Sequence, residues 1–119
     1  MRAFLGFLTL LTLTSPPPVG ALPRPSAEQV RFGIEAARRG LWLEARYRFE
    51  RAVKLDDKNP AAHNNLAVAC EQLGDFAQAQ AAYEAARSLR PKDHSILQNF
   101  DLFREADEKR QHKAGKKKP

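Results

Sequence analysis

Residues 60–93 decide the fold of this chain, and they read PAAHNNLAVACEQLGDFAQAQAAYEAARSLRPKD. The first half places Leu66 and Cys70 four residues apart, which puts both on one face of a helix. The second half has a similar face, formed at i, i+4 and i+7 by Ala79, Tyr83 and Ala86. Residues 73–75, Leu-Gly-Asp, separate the two halves. The pattern predicts an antiparallel helical hairpin, in which small alanines let the helices approach and one large ring fills the space between them.

A copy of this pattern lies thirty-four residues upstream, in residues 26–59. The offset is fixed: Gly40 matches Gly74, Ala45 matches Ala79, Phe49 matches Tyr83, Ala52 matches Ala86 and Leu55 matches Leu89. The register continues to Phe100, which matches Leu66 and Phe32. A hairpin of this length cannot bury both of its faces alone, so we expect the two copies to stack against each other.

The period and the pattern together resemble the tetratricopeptide repeat family. The positions that fit the family pattern are Leu66, Ala67, Ala79, Tyr83, Ala86 and Pro91 in the second copy, and Phe32, Gly33, Ala45, Phe49 and Ala52 in the first. The resemblance covers about residues 26–105 and implies an all-α helical repeat with about five antiparallel helices. It also implies that Phe32, Leu66 and Phe100 are packing positions. It says little about partners, because the family binds many unrelated ones.

The element boundaries follow from residues that start or stop helices. Gly40 and Gly74 can adopt the left-handed conformation that ends a helix. Ser26, with Gln29 three residues later, has the spacing of a capping box at the start of helix one. The candidate caps of the later helices are Asn59, Asp75 and Asp93. The predicted division is a linker at residues 22–25, a first repeat at 26–59, a second repeat at 60–93, a capping helix at 94–108 and a disordered basic tail at 109–119.

Residues 1–21 have the three parts of a secretory signal peptide. Arg2 supplies positive charge, residues 3–13 are almost purely apolar, and Val19-Gly20-Ala21 offers small residues for cleavage. The apolar run is too short to span a bilayer as a helix, which takes ~20 residues. We therefore expect cleavage after Ala21 and export, either to the bacterial periplasm or cell envelope or into a eukaryotic secretory pathway. The alternatives are retention of the segment as an anchor and a disordered apolar N-terminus.

The net charge of +6 is concentrated at the C-terminus. Residues 22–108 carry thirteen basic and fourteen acidic side chains and are close to neutral. The tail that follows has no acidic residue and six basic ones, Lys109, Arg110, Lys113, Lys116, Lys117 and Lys118. Such a tail suggests binding to an anionic surface, either membrane headgroups or another polyanion, and its alternative role is solubility. No aromatic residue interleaves the tail, so base stacking with nucleic acid has no support there.

Few residues offer nucleophilic or metal chemistry. The three histidines, His63, His94 and His112, form no i, i+4 pair, and the chain contains neither Cys-x-x-Cys nor His-Glu-x-x-His. No glycine-rich loop precedes a helix in a way that would bind phosphate. The one cysteine, Cys70, lies on an inward face and is expected to be a buried thiol. We therefore expect a protein that is not an enzyme and that uses no cofactor or metal.

The resemblance implies a binding surface. In this family the first helices of successive repeats line a concave groove, so positions thirty-four apart stack across it. Three rows of residues result: Ile34, Val68 and Leu102; Val30, Asn64 and Gln98; and Arg38, Gln72 and Ala106. The first row is apolar and the second supplies amides, a combination suited to an extended or helical peptide. The family's clamp for a C-terminal carboxylate is not expected, because only Asn65 fits its pattern.

The predicted function is therefore a non-catalytic interaction module, an adaptor, scaffold or assembly factor that binds a protein or peptide in the groove. The alternative is binding to an anionic surface through the basic tail. Two repeats and a cap are fewer than such arrays generally need, so the domain is either marginal or stabilised by self-association or a partner. The run Leu41-Trp42-Leu43 fits such a contact if it is exposed, although Trp42 can instead pack on the adjoining helix.

Overall fold

A computed structural model describes residues 24–116, which form five α-helices and no strand. The helices are α1 (Pro25–Arg38), α2 (Trp42–Leu55), α3 (Pro60–Gln72), α4 (Phe76–Leu89) and α5 (His94–Lys116). α1 packs on α2 and α3 on α4 to form two hairpins, and α2 packs on α3 and α4 on α5. α1 also contacts α3, and α3 contacts α5. The predicted all-α repeat of about five helices is confirmed.

The two hairpins turn in the same way, as the repeated glycines predict. Gly40 and Gly74 follow the C-caps of α1 and α3 with φ angles of +74° and +80°. The residue after each glycine donates its N–H to a carbonyl five residues earlier, at 2.9 Å in both turns: Leu41 to Ala36, and Asp75 to Cys70. These are the bonds of a Schellman motif, whose left-handed residue is most favourable as glycine.

The three candidate caps are confirmed. Asn59 Oδ1 accepts two backbone N–H groups of the first turn of α3, at 3.1 and 3.3 Å. Asp75 Oδ1 accepts the N–H of Gln78 at 3.2 Å. Asp93 Oδ1 accepts two N–H groups at the start of α5, at 3.0 and 3.2 Å. Each bond satisfies a backbone donor that the helix leaves without a partner.

The predicted capping role of Ser26 is wrong. α1 begins at Pro25, inside the predicted linker, and its N-cap Arg24 makes no side-chain hydrogen bond. Ser26 is buried, and its hydroxyl donates to the carbonyl of Ala52 at 2.8 Å. Asn59 Nδ2 in turn donates to the Ser26 oxygen at 2.9 Å. The hydroxyl thus joins the start of α1 to the end of α2 and the start of α3 instead of capping its own helix.

The core combines alanines with a few large rings. The fully buried alanines are Ala45, Ala52, Ala62, Ala67, Ala69, Ala79 and Ala86. Phe49 packs so closely on Gly33 that a Cβ there would lie 2.6 Å from the Phe49 Cδ1 atom. Tyr83 joins the second hairpin to α5, with ring centroids 5.5 Å from Phe100 and 5.4 Å from Phe103. Small residues at the helix contacts and rings between the layers give the close packing that the sequence predicts.

One of the three predicted packing positions is not buried. Leu66 is 7% exposed and Phe100 is 3% exposed, whereas Phe32 is 37% exposed. The preceding hairpin covers this position in α3 and α5, but among the described residues no hairpin precedes α1. Arginine side chains lie over the Phe32 ring instead, with guanidinium carbons at 4.8 Å (Arg31) and 5.5 Å (Arg48) from its centroid.

α5 is longer than predicted. The sequence predicts an end at residue 108 with disorder beyond, but α5 continues as a helix to Lys116. Two ion pairs on the helix support the extension, Lys109 to Glu105 at 3.2 Å and Arg110 to Asp107 at 3.0 Å. Lys117 and Lys118 lie outside the described residues, as do residues 1–21 of the predicted signal peptide. Within residues 24–116, none of the helices combines the length and the apolarity required to cross a bilayer.

Candidate functional site

The predicted groove contains a hollow between α1, α2 and α3. Its volume is about 270 Å³, and its lining includes three predicted groove residues, Ile34, Arg38 and Val68. Ile34 and Val68 are half-buried and pack on the core with part of each side chain still accessible. Arg38 is exposed above them, with only a long ion pair of 4.0 Å to Glu35. The hollow therefore offers an apolar floor with one cation at its edge.

A second hollow, of about 350 Å³, lies between α3 and the start of α5. It is more polar than the first hollow, and its lining includes Asn64, Asn65, Arg90, Asp93 and Ser95. Asn64 Oδ1 accepts a hydrogen bond of 3.3 Å from Asn99 Nδ2, which holds this amide in place across the two helices. Asn65 lines both hollows. The two hollows therefore adjoin at Asn65 on α3, and together they are called the α3 groove below.

The structure does not bring all of the predicted groove residues into the α3 groove. Val30 is 7% exposed and belongs to the core, because α1 turns it toward the neighbouring helices. Gln72, Gln98 and Leu102 are exposed on α3 and α5 and line neither hollow. The apolar row is therefore continuous from Ile34 to Val68 but not to Leu102.

Several lining residues were not predicted as site residues. Trp42 contributes to the first hollow from α2, and Arg90 contributes to the second from the C-cap of α4. Trp42 lies in the second helix of its repeat, and Arg90 follows the second helix of the next repeat. The predicted groove contains residues from the first helices only. Asn65 is next to the predicted Asn64; both asparagines line the second hollow, and Asn65 also lines the first.

The basic residues at the C-terminus divide into two kinds. Arg110 is half-buried, and its guanidinium carbon lies 3.5 Å from the centroid of the Phe76 ring. Its contact with Phe76 and its ion pair with Asp107 make Arg110 a packing residue and not a surface cation. Lys113 and Lys116 are exposed, and no ion pair involves them within residues 24–116.

The turn end of the two hairpins carries an apolar patch. Leu41, Leu43 and Leu73 line, together with Trp42, an open hollow of about 800 Å³. Leu41 is 45% exposed and Leu43 is 67% exposed, whereas Trp42 is half-buried against the core. Both alternatives for this run are therefore partly correct: the tryptophan packs on its neighbours and the two leucines face outward.

The side chains that could take part in chemistry are buried or hydrogen-bonded within the fold. Cys70 is fully buried, and burial, with the nearby Asp75 carboxylate, raises the pKa of its thiol to about 11. Burial, with the hydrogen-bonded Glu71 carboxylate 3.0 Å away, also raises the pKa of Tyr83. His63 Nε2 is hydrogen-bonded to the Asp57 carbonyl at 2.6 Å. Among residues 24–116 there is no group of three or more His, Cys, Asp or Glu side chains suited to a metal ion.

Comparison of the chain with families of known proteins finds a match to the tetratricopeptide repeat over residues 36–100, which is more than half of its length. Comparison with curated proteins finds no match. The matched range runs from the end of α1 through α2, α3 and α4 to Phe100 in α5. Members of this family generally act as non-catalytic modules for protein–protein interaction. With the thirty-four-residue repeat, the paired helices and this match in agreement, the chain belongs to the tetratricopeptide repeat family.

Proposed function

We propose that this protein is a non-catalytic adaptor or assembly factor that binds a segment of a partner protein in the α3 groove. The observation that carries the proposal is the meeting of an apolar hollow and a polar hollow at Asn65. A groove with both suits a peptide, which presents apolar side chains and a polar backbone.

The groove chemistry defines the kind of segment that would fit. An apolar side chain would be buried against Ile34 and Val68, and the amide of Asn65 would bond the peptide backbone next to it. Arg38 and Arg90 lie in the linings of the two different hollows. Asp93 lines the second hollow with Arg90 and balances its charge, so only Arg38 favours a carboxylate, next to the apolar anchor. The expected ligand is a short segment, extended or helical, with one or two central aliphatic residues and a carboxylate on the Arg38 side.

The test is affinity capture with the wild-type chain and two variants. Val68→Asp places a charge on the apolar floor, and Asn65→Ala removes the amide shared by the two hollows. Leu55→Asp is the matched control, because Leu55 is an exposed leucine of α2 outside the groove. The proposal expects a partner that is retained at high salt by the wild-type chain and the control and lost by both groove variants. Equal retention by all four chains, with helicity unchanged, would place the binding surface elsewhere.

We further propose that the protein works outside the cytosol. The support is the sequence of residues 1–21, with its positive start, its short apolar run and its small residues before Leu22. N-terminal sequencing of the protein isolated from its source tests the proposal. A mature chain that starts near Leu22 is expected, and a chain that retains Met1 would favour an anchor or a cytosolic protein.

A further inference from the structure

Helices α1, α3 and α5 share a repeated face, called the stacking face below. In α3 and α5 the preceding hairpin buries this face, which consists of Ala62, Leu66 and Ala69 in α3 and of Ile96, Phe100 and Phe103 in α5. The equivalent residues of α1 are Glu28, Phe32 and Glu35, and all three are exposed. Within residues 24–116, α1 packs only on α2 and α3. The stacking face of α1 therefore lacks the neighbour that each internal unit of a repeat array has.

Arginines and aromatic rings alternate beside this open face. The guanidinium carbon of Arg31 lies 4.8 Å from the centroid of the Phe32 ring. Arg48 lies between two rings, 5.5 Å from the centroid of Phe32 and 5.7 Å from that of Tyr47, and Arg51 lies 5.9 Å from Tyr47. Both rings are exposed. These five residues, called the arginine ladder below, join α1 to α2 and combine cations with accessible apolar surface.

The hairpin that carries the arginine ladder is positively charged. Residues 24–55 contain eight basic and four acidic side chains, which is a net charge of +4. Three of the carboxylates are paired within the hairpin: Glu35 with Arg38 at 4.0 Å, Glu44 with Arg48 at 2.8 Å, and Glu50 with Arg46 at 3.8 Å. Within residues 24–116, no ion pair involves Glu28, Arg31 or Arg51. The two outer arginines of the ladder are therefore open to an external carboxylate, and Glu28 offsets only part of their charge.

The outer face of α5 has the opposite charge. Residues 94–108 contain four carboxylates and one arginine. Asp101, Glu105 and Glu108 follow at i, i+4 and i+7, so they lie on one side of the helix, and all three are exposed. Glu105 pairs with Lys109 at 3.2 Å, whereas no ion pair within residues 24–116 involves Asp101 or Glu108. Leu102 is next to these carboxylates and is 59% exposed.

We propose that copies of this chain associate head to tail, with the outer face of α5 of one copy seated on the arginine ladder of the next. Arg31 and Arg51 pair with carboxylates of the second copy, and its Leu102 packs on the exposed rings. A helix then covers Phe32, as the preceding hairpins cover Leu66 and Phe100. The two surfaces are different, so each pair of copies keeps one free ladder and one free α5 face, and the assembly continues to grow.

A symmetric contact fits the charges less well. Two ladders, or two acidic faces of α5, would bring like charges together, and these oppose association. The cations at the end of α5 do not prevent the head-to-tail contact. α1 has 14 residues and α5 has 23, which at 1.5 Å per residue makes α5 about 14 Å longer. Lys113 and Lys116 can therefore lie beyond the ladder when residues 101–108 are seated on it.

Sedimentation velocity tests the proposal. The protein is purified with the N-terminus that sequencing of the natural protein gives, and it is measured from low to high micromolar concentration in low and in physiological salt. We expect a mean mass that rises with concentration and passes beyond that of a dimer, because a head-to-tail contact leaves both ends free. We also expect weaker association in physiological salt, because the pairs are exposed at the edge of the contact.

A charge exchange between the two faces identifies the contact. Arg31→Glu/Arg51→Glu and Asp101→Lys/Glu108→Lys are each expected to weaken association at least about tenfold. An equimolar mixture of the two variants is expected to associate again, because each reversed face then meets a face of opposite charge. Lys58→Glu/Lys92→Glu is the matched control: it makes the same change of charge as the first variant, at exposed lysines after α2 and α4, and is expected to associate like the wild type.

Four results would overturn the proposal. The first is a monomer at every concentration in low salt. The second is equal association of the wild type and both variants, which would move the contact elsewhere, for example to the exposed leucines of the turns. The third is a mixture that stays monomeric although circular dichroism shows both variants to be folded. The fourth is a dimer that the ladder variant abolishes and the α5 variant does not, since that contact would be symmetric. None of these results bears on peptide binding in the α3 groove.

Discussion

The guanidinium carbon of Arg110 lies 3.5 Å from the centroid of the Phe76 ring. Arg110 also pairs with Asp107 at 3.0 Å and approaches the Phe103 ring at 5.7 Å, so its side chain connects the last part of α5 to the start of α4. A cation stacked on aromatic rings in a partly buried site contributes about 1–2 kcal/mol. This contact explains why α5 remains helical beyond the point at which its apolar pattern ends.

Replacing Arg110 tests this explanation. Arg110→Gln is expected to lower the free energy of unfolding by about 1–2 kcal/mol and to increase amide hydrogen exchange in residues 111–116, because the extension loses its stacking contact with Phe76 of α4. Lys113→Gln is the control, since Lys113 is exposed and is expected to change stability by less than about 0.5 kcal/mol. Equal exchange in the wild type and Arg110→Gln would mean that the extension is stable without this contact.

The fit of Phe49 against Gly33 leads to a second prediction. Ala is favoured over Gly in a helix by about 1 kcal/mol, but a Cβ at Gly33 would overlap the Phe49 ring, and overpacking of a core costs about 1–3 kcal/mol. Gly33→Ala is therefore expected to be destabilising. Gly115→Ala meets open space near the end of α5 and is expected to be neutral or slightly stabilising. Denaturant unfolding of both variants measures the difference, and a stabilising Gly33→Ala would contradict the packing described for the first hairpin.

The residues that begin α3 and α5 make different numbers of hydrogen bonds. Their replacement is therefore expected to lower the free energy of unfolding by different amounts. Asn59 and Asp93 both cap a helix, and Asn59 additionally donates a bond of 2.9 Å to the buried Ser26 hydroxyl. Asp93→Ala is expected to cost about 1 kcal/mol, the usual value for a lost cap. Asn59→Ala is expected to cost about 2 kcal/mol, because a neutral hydrogen bond contributes about 1 kcal/mol more. Equal losses in thermal or denaturant unfolding would mean that the Ser26 bond contributes nothing.

Cys70 predicts a loss of stability at alkaline pH. Burial raises the pKa of the thiol from 9.0 to about 11 in the folded chain, so between these values the unfolded chain releases the proton first. The contribution to stability is fully present below pH 9 and is lost as the pH rises toward 11. Tyr83, whose pKa is also raised, adds a similar loss that begins above its ordinary value of 10.0.

The measurement is the denaturant midpoint between pH 7 and 11 for the wild type and for Cys70→Ala. The variant places an alanine where the first repeat has Ala36, and it is expected to show a shallower decline between pH 9 and 10. Identical pH dependence in the two chains would show that the thiol does not titrate differently on folding.

Local signals in the sequence were sufficient for most of the fold. Gly40 and Gly74 specify their turns through backbone conformation, and Asn59, Asp75 and Asp93 specify helix starts through caps, all within a few residues of chain. The errors concern contacts between distant residues. The position at which α5 ends depends on the contact between Arg110 and Phe76. Phe32 is exposed because, among the described residues, no hairpin precedes α1 and covers it.

The groove was predicted less completely for a similar reason. Ile34, Arg38 and Val68 meet because the offset of thirty-four residues stacks the first helices, which the repeat predicts. The burial of Val30 and the contributions of Trp42 and Arg90 depend on the rotation of each helix and on loop positions. The repeat period determines neither the rotation of each helix about its axis nor the positions of the loops.

The most direct test of the central claim is the dissociation constant of the captured partner segment for the wild type, Val68→Asp and Leu55→Asp. Binding in the α3 groove predicts that Val68→Asp weakens the affinity by at least about tenfold, through the loss of a desolvated apolar contact, and that Leu55→Asp leaves it unchanged. An unchanged affinity of a folded Val68→Asp chain, or an equal loss in both variants, would contradict binding in the groove.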